Sequence, residues 1–289
     1  MSPAGGANLR RRWTTLGIVL TWLASATALP GEPAASADPT PAAKPPTALI
    51  LLVRGAEGEP EYGRRFDEQI ARWQAVAQKA GAACEVIGAD PVPPGEEPAD
   101  RDRLRERLAK EQDADNPPLW LVFIGHGSFD GRHARFNLRG PDFTEAELAE
   151  WLRPFRRPLV LIHAFSASGP FLPALSAPNR VILTATRSGN EINYARLGEY
   201  LAPALDAPAA DLDQDGQTSL LEALLFAAAR VREFYESEGR LATEHALVDD
   251  NGDGLGTPAE WFRGVRATRK PEQGRSLDGF RAQQIHLIP

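Results

Sequence analysis

The sequence predicts a doubly wound α/β fold, with a mostly parallel sheet sandwiched by helices. Three observations lead there. Apolar runs at 48–53, 119–124, 159–162 and 181–184 are short and unbroken, as in strands buried on both faces. Segments of helical periodicity lie between them, and strands alternating with helices build a parallel sheet. The 289 residues are 43% hydrophobic and 25% charged, which suffices for a sizeable core.

The elements follow in chain order. Residues 48–53 are the first strand. Residues 62–80 carry Phe66, Ile70, Trp73 and Val76 on one helical face. Ala83 to Ile87 is the second strand, and a loop with Pro91, Pro93, Pro94 and Pro98 follows. Residues 101–111 form a charged helix, and 119–124 the third strand, ending in Gly125-His126-Gly127. His133 to Leu138 reads as a short edge strand. Thr144 opens a helix with Glu147 as its capping-box partner. Residues 159–162 and 181–184 are the fourth and fifth strands. From Tyr194 the pattern turns helical, and Leu221, Leu224, Leu225, Ala228 and Val231 make 220–235 a strong apolar helix. The stretch after Ala267 reads as polar and extended.

The predicted organisation is an export signal at 1–28, a linker at 29–47, an α/β domain at 48–206, paired loops and helices at 207–266, and a tail at 267–289. Arg10, Arg11 and Arg12 precede the short apolar run Trp13 to Leu23, and Ala26-Thr27-Ala28 and Ala35-Ser36-Ala37 are both cleavage candidates. The expected location is secreted or periplasmic, with a membrane tether if this segment stays uncleaved. Six prolines between Pro30 and Pro46 mark the linker as extended. The net charge of -7 and the absence of a basic stripe argue against nucleic acid. Cys84 is the single cysteine; no cation flanks it, so it reads as an inert, half-buried thiol.

Two twelve-residue acidic segments carry the clearest chemical signal. Residues 211–222 and 249–260 both satisfy D-x-[DN]-x-[DN]-G-x5-E, the EF-hand calcium loop. Calcium takes six to eight hard oxygens, supplied from positions 1, 3, 5, 7, 9 and 12, and glycine at position 6 permits the turn. The first loop offers Asp211, Asp213, Asp215, the Gln217 carbonyl, Ser219 and Glu222. The second offers Asp249, Asn251, Asp253, the Leu255 carbonyl, Thr257 and Glu260. Helix 220–235 leaves the first loop and leads toward the second, so one helix is expected to serve both.

Ligands of open α/β sheets gather at the carboxyl ends of strands. The third strand ends in Gly125-His126-Gly127-Ser128, and the fourth runs into His163-Ala164-Phe165-Ser166-Ala167-Ser168-Gly169. With these motifs, the region from about Ala48 to Leu205 resembles the caspase and legumain superfamily of cysteine peptidases. That family has a strand ending in His-Gly and another ending in Asp-Ala-Cys-x-Ser-Gly. The resemblance implies a caspase-like fold. It also implies His126 as general base or acid, and an oxyanion hole from the Gly127 N–H and the nucleophile's own N–H.

The nucleophile position is Ser166, and Ala164-Phe165 replaces Asp-Ala. A serine hydroxyl is far less acidic than a thiol, so it needs a base in direct contact, itself oriented by a third group. Asp130 and Asp142 are the candidates for that group. Two readings stay open. One is a calcium-binding, catalytically impaired module for a peptide or protein ligand. The other is a calcium-dependent endopeptidase using Ser166 and His126. Among the remaining residues, His163 is expected to be a hydrogen-bonded histidine at a strand end and Ser168 a turn residue. Arg187 and Arg196 are ion pairs or groove cations, Trp151 and Trp261 are core residues, and Arg153, Arg156 and Arg157 form a solvated helix end.

Overall fold

The computed structural model describes residues 46–93, 96, 99–113, 115–269 and 277–289. The expected export signal, residues 29–45 of the expected linker, and Pro94 and Pro98 lie outside the described residues. Residues Lys44–Pro289 form one compact unit. No helix among the described residues is long and apolar enough to cross a membrane.

In chain order the strands are β1 (Leu49–Arg54), β2 (Ala83–Ile87), β3 (Leu119–Ile124), β4 (Gly127–Phe129), β5 (Ala134–Phe136) and β6 (Phe143–Thr144). Then come β7 (Leu159–Ala164), β8 (Arg180–Thr184), β9 (Leu247–Asp249), β10 (Thr257–Pro258), β11 (Phe262–Arg263) and β12 (Arg266–Ala267). The helices are α1 (Pro60–Ala80), α2 (Asp100–Ala109), α3 (Glu145–Leu152), α4 (Phe171–Leu175), α5 (Leu197–Ala204) and α6 (Leu220–Ser237).

The main sheet has the order β10-β9-β8-β7-β3-β1-β2. Strands β1, β2, β3, β7 and β8 are parallel, and β9 and β10 add antiparallel at one edge. The sheet is therefore mixed α/β and mostly parallel, flanked by helices, as the apolar runs predict. Alternate residues face opposite layers. Ile50, Leu52, Trp120, Val122, Val160 and Ile162 pack with Phe66, Trp73, Leu201 and Leu224 from α1, α5 and α6. Leu51, Val53, Leu121, Phe123 and Leu161 pack with Leu104, Leu148 and Phe171 from α2, α3 and α4. Each such buried side chain contributes about 1.5–3 kcal/mol relative to exposure.

Local signals set the helix ends. α1 starts at Pro60, two residues earlier than expected, because proline is preorganised for a first turn. It stops at Gly81, whose φ of 66° lets its N–H return to the Ala77 and Gln78 carbonyls. The Thr144–Glu147 capping box forms as expected, and Ser219 and Glu222 make a second one at the start of α6.

Five sequence expectations about these elements differ from the structure. The region beyond Tyr194 is not wholly helical: β9 and β10 join the main sheet, so the second acidic loop is entered from a strand and closes a hairpin. Residues 277–289 are no free tail, since Asp278, Ala282 and Leu287 are buried. Cys84 is exposed on the edge strand β2. Arg157 is buried rather than solvated, and its guanidinium pairs with the Glu111 carboxylate and the Pro117 carbonyl.

His163 is also not a hydrogen-bonded strand end. It is fully buried, stacked on Phe123 with centroids 5.2 Å apart and flanked by Phe165 and Phe171. Neither ring nitrogen meets hydrogen-bond geometry with a partner. Burial pulls its pKa down to about 3, and the Leu183 backbone offsets this only in part. A base whose folded pKa lies below its unfolded value near 6.5 must be neutral to fold, so its contribution is complete above pH 6.5 and is lost as pH falls. We predict that folding costs about 2 kcal/mol more at pH 5 than at pH 7 through this group. Urea unfolding of His163→Leu should show a flatter pH dependence than the parent; identical slopes between pH 7 and 5 would refute the assignment.

Candidate functional site

The chain places β2 on one side of β1 and β3, β7 and β8 on the other. The strand order thus reverses between β1 and β3, and the crevice at their carboxyl ends is where such sheets bind ligands. Gly55 and Gly125 follow these two strands, and a Cβ on Gly55 would come within 3.1 Å of the Gly125 Cα. The backbones can approach this closely because neither residue has a side chain.

His126 sits at this point, just past β3. Its ring packs edge-on against Tyr62 at 4.6 Å and Phe66 at 5.2 Å between centroids, with Tyr194 at 6.0 Å. Burial lowers its pKa, and a hydrogen bond to the Glu57 backbone, in the loop after β1, offsets part of that shift. The neutral imidazole is therefore favoured, and a main-chain group orients it. Neither expected carboxylate does so. Asp130 is held well below the usual carboxylate range by the His133 and Arg132 amides and Arg135, and Asp142 accepts the Leu138 N–H.

Ser166 follows β7 and is buried. Its Oγ accepts the Gly127 N–H at 3.1 Å and donates to the Gly127 carbonyl at 3.0 Å. The structure thus brings Ser166 to Gly127. Among the described residues it makes no hydrogen bond between Ser166 and His126. The amide expected to stabilise an oxyanion is filled by the hydroxyl expected to attack. Gly127 is sterically required, because a Cβ there would lie 2.2 Å from the Ser166 carbonyl oxygen. The next residue, Ala167, takes a left-handed φ of 57°, and its N–H donates to the Glu191 carbonyl at 2.8 Å. Ser168 is a turn residue whose Oγ lies 3.1 Å from Thr186 Oγ1.

Arg187 pairs with Glu191 at 3.2 Å and stays exposed. Arg196 is fully engaged, stacked 3.7 Å above the Phe234 ring and 3.5 Å from Glu199.

The two acidic loops share one internal design. In the first, carboxylate oxygens of Asp211, Asp213 and Asp215 lie within 4.8 Å of one another. Asp211 accepts the Gly216 N–H, and Asp215 accepts the Gln217 N–H. Glu222 closes the loop from beneath: one oxygen accepts the Leu212 and Asp213 amides, the other the Ser219 amide and hydroxyl. In the second, Asp249 accepts the Gly254 N–H and Asp253 the Leu255 N–H. Gly216 and Gly254, each at position 6, have φ of 91° and 76°, the left-handed turn that the motif requires.

The closing carboxylate of the second loop is Asp278. One oxygen accepts the Asp250 and Asn251 amides, the other the Thr257 amide and hydroxyl. These are the same four groups, at loop positions 2, 3 and 9, that Glu222 grips. Burial first, then the Asp249 and Asp250 charges, push Asp278 up to about 7. Glu260, expected at position 12, is an exposed residue on the wall of a cavity shared with Arg232 and His245. Asp278 was not legible because it lies 21 residues beyond Thr257. The unexplained second acid in Asp249-Asp250 is a weak clue, since Asp250 accepts the Arg281 and Ala282 amides and so anchors the returning segment.

No protein-family model matches the chain, and no curated protein matches it. Solved structures that match include the initiator caspase Dronc from Drosophila, at 12% identity over 71% of this chain and 80% of that one, with a TM-score of 0.45. Caspase-1 from Spodoptera frugiperda matches at 10% identity over 71% and 86%, and drICE at 12% over 71% and 87%, each with a TM-score of 0.44.

The Ser166–Gly127 pair makes a testable packing claim. Gly127→Ala should lower stability by about 1–3 kcal/mol through overpacking. Ser166→Ala should cost about 1 kcal/mol by stranding the half-buried Gly127 amide and carbonyl. Thermal melts of both variants check this, and parental stability in either would contradict the geometry.

Proposed function

We propose that the chain is a calcium-stapled, catalytically silent relative of the caspase and legumain peptidases that binds a peptide or protein ligand. The observation that carries this reading is the closed exchange between Ser166 and Gly127. A serine nucleophile needs its hydroxyl hydrogen bonded to the base, and here that hydrogen goes to a carbonyl. The oxyanion donor is spent on the same atom. What remains at the strand ends is a recognition surface, with the exposed Arg187 cation and the exposed Ile192 side chain on its rim. Export is inferred from the basic, apolar and small-residue order of the N-terminus.

The alternative, a calcium-dependent endopeptidase, draws support from His126 itself. A neutral imidazole oriented by the Glu57 backbone is suited to a general base. Hydrolysis of a fluorogenic peptide library with calcium present separates the two readings. We expect background rates from the parent, His126→Ala and Ser166→Ala alike. Cleavage by the parent that both substitutions abolish would replace the module with the peptidase.

Calcium at the acidic loops is part of the proposal. Three mutually close carboxylates repel one another, and a divalent cation relieves that repulsion. Asp211, Asp213, Asp215 and the Gln217 carbonyl would hold it in the first loop, with Ser219 and Glu222 beside them. Asp249, Asn251, Asp253, the Leu255 carbonyl and Thr257 would do so in the second, with Asp278 in the closing role. A ligand bound by the native state alone raises the melting temperature by mass action. We expect calcium to raise it relative to chelator, and Asp211→Ala to reduce the shift. Asp278→Asn should reduce it more than Glu260→Gln. A parent melting curve indifferent to chelator would remove the calcium reading, and a larger loss from Glu260→Gln would restore that residue to the ligand set.

A further inference from the structure

A cavity of about 250 Å³ lies at the amino ends of β7 and β8, at the opposite end of these strands from Ser166. Four of the residues lining it are arginines: Arg153, Arg156 and Arg157, which follow α3, and Arg180, which opens β8. The chain holds 39 acidic residues against 32 basic ones, yet no aspartate or glutamate lines this cavity. A second arginine cluster, on α1, shows the contrast. There Arg64, Arg65 and Arg72 share a cavity with Glu61, Glu68 and Glu199, and Arg65 pairs with two of those carboxylates.

Two of the four cations have partners. Glu111 neutralises the buried Arg157, and Glu150 stands 3.6 Å from Arg153. Among the described residues, neither Arg156 nor Arg180 forms an ion pair; main-chain carbonyls hold both. Arg156 folds back so that its Nη1 donates to the Arg153 and Phe155 carbonyls, each at 3.1 Å. Arg180 donates to the Leu175 carbonyl at 2.7 Å and the Leu152 carbonyl at 2.6 Å. Those two carbonyls belong to the ends of α4 and α3, and a helix end carries only a partial negative charge. The contacts thus fix the guanidiniums in place and leave positive charge over. Burial lowers the Arg180 pKa, and the charge of Arg156 lowers it further, so the two cations oppose one another. Neither can escape by losing its proton. An anion shared by both relieves the repulsion.

Size and donor geometry select the ligand. The cavity lies below the roughly 300 Å³ at which ordinary small-molecule pockets begin, so it has room for a compact ion or a single charged group. A guanidinium offers its N–H groups in one plane, a fork that matches two oxygens of a phosphate or sulfate. Two unpaired cations match two negative charges. The exposed Asn179 adds a neutral amide donor at the rim.

We propose that this cavity binds a doubly charged tetrahedral oxyanion, a phosphate or sulfate group, between Arg156 and Arg180, with Arg153 and Asn179 at the rim. The site is independent of the function proposed above.

Isothermal titration of the full chain with inorganic phosphate, phenyl phosphate and nitrate tests it. Phosphate as the dianion should bind saturably, and the monoanion nitrate at least tenfold more weakly, as expected for loss of a charge-assisted hydrogen bond. Phenyl phosphate binding as tightly as phosphate would identify a phosphorylated organic ligand, and weaker binding a free ion; both results uphold the site. Arg156→Gln should weaken phosphate binding at least tenfold, and Arg64→Gln on α1 should leave it unchanged. Equal affinity for phosphate and nitrate, no saturable phosphate binding at millimolar concentration, or equal binding by Arg156→Gln and the parent would overturn the proposal. So would a comparable loss in Arg64→Gln. Arg156 is exposed, so its replacement leaves the core intact, and the comparison of anions uses the parent protein alone.

Discussion

The burial of the central strands on both faces constrains everything else in this molecule. β1, β3 and β7 are covered above and below, so their side chains are apolar along nearly all of their length. Polar groups are displaced to where the strands stop. His126 and Ser166 are both residues of that kind, each within two positions of a strand end. His163 shows the reverse case. It lies inside β7 and survives there as a neutral ring among phenylalanines, its acid–base chemistry suppressed by its surroundings.

At the strand ends, closure rather than openness is the theme. Ser166 and Gly127 satisfy one another in both directions, and Tyr62, Phe66 and Tyr194 crowd the His126 ring. A hydroxyl suits this exchange well, being both a good donor and a good acceptor, whereas a thiol is weak in both roles. The hydroxyl of Ser166 is thus the group that completes this exchange. Across the sheet, the acidic loops solve a different problem by one repeated device. A carboxylate grips the amides at positions 2, 3 and 9, while the position-1 aspartate holds the amide at position 6.

What the sequence disclosed follows from the range of each interaction. The core strands were legible because burial on both faces leaves an unbroken apolar run, and the Thr144–Glu147 cap because its partners are three residues apart. The interior design of the loops was legible for the same reason. β9 and β10 were missed because strands of three and two residues flanking an acidic loop carry no periodicity. Arg157 was misread because its partners, Glu111 and Pro117, are remote in the chain. The Ser166–Gly127 exchange joins residues 39 apart, so the motif showed the neighbours but not their mutual engagement.

The returning segment at 277–289 has a consequence for how the chain acquires its shape during synthesis. The first acidic loop carries its own closing residue and can form as soon as α6 begins. The second must wait for a carboxylate translated 28 residues after Asp250. In the interval the hairpin of β9 and β10 stands open at the edge of an otherwise complete sheet, with its strand hydrogen bonds exposed to other chains. The last strands to be secured are thus the ones most able to recruit a neighbour.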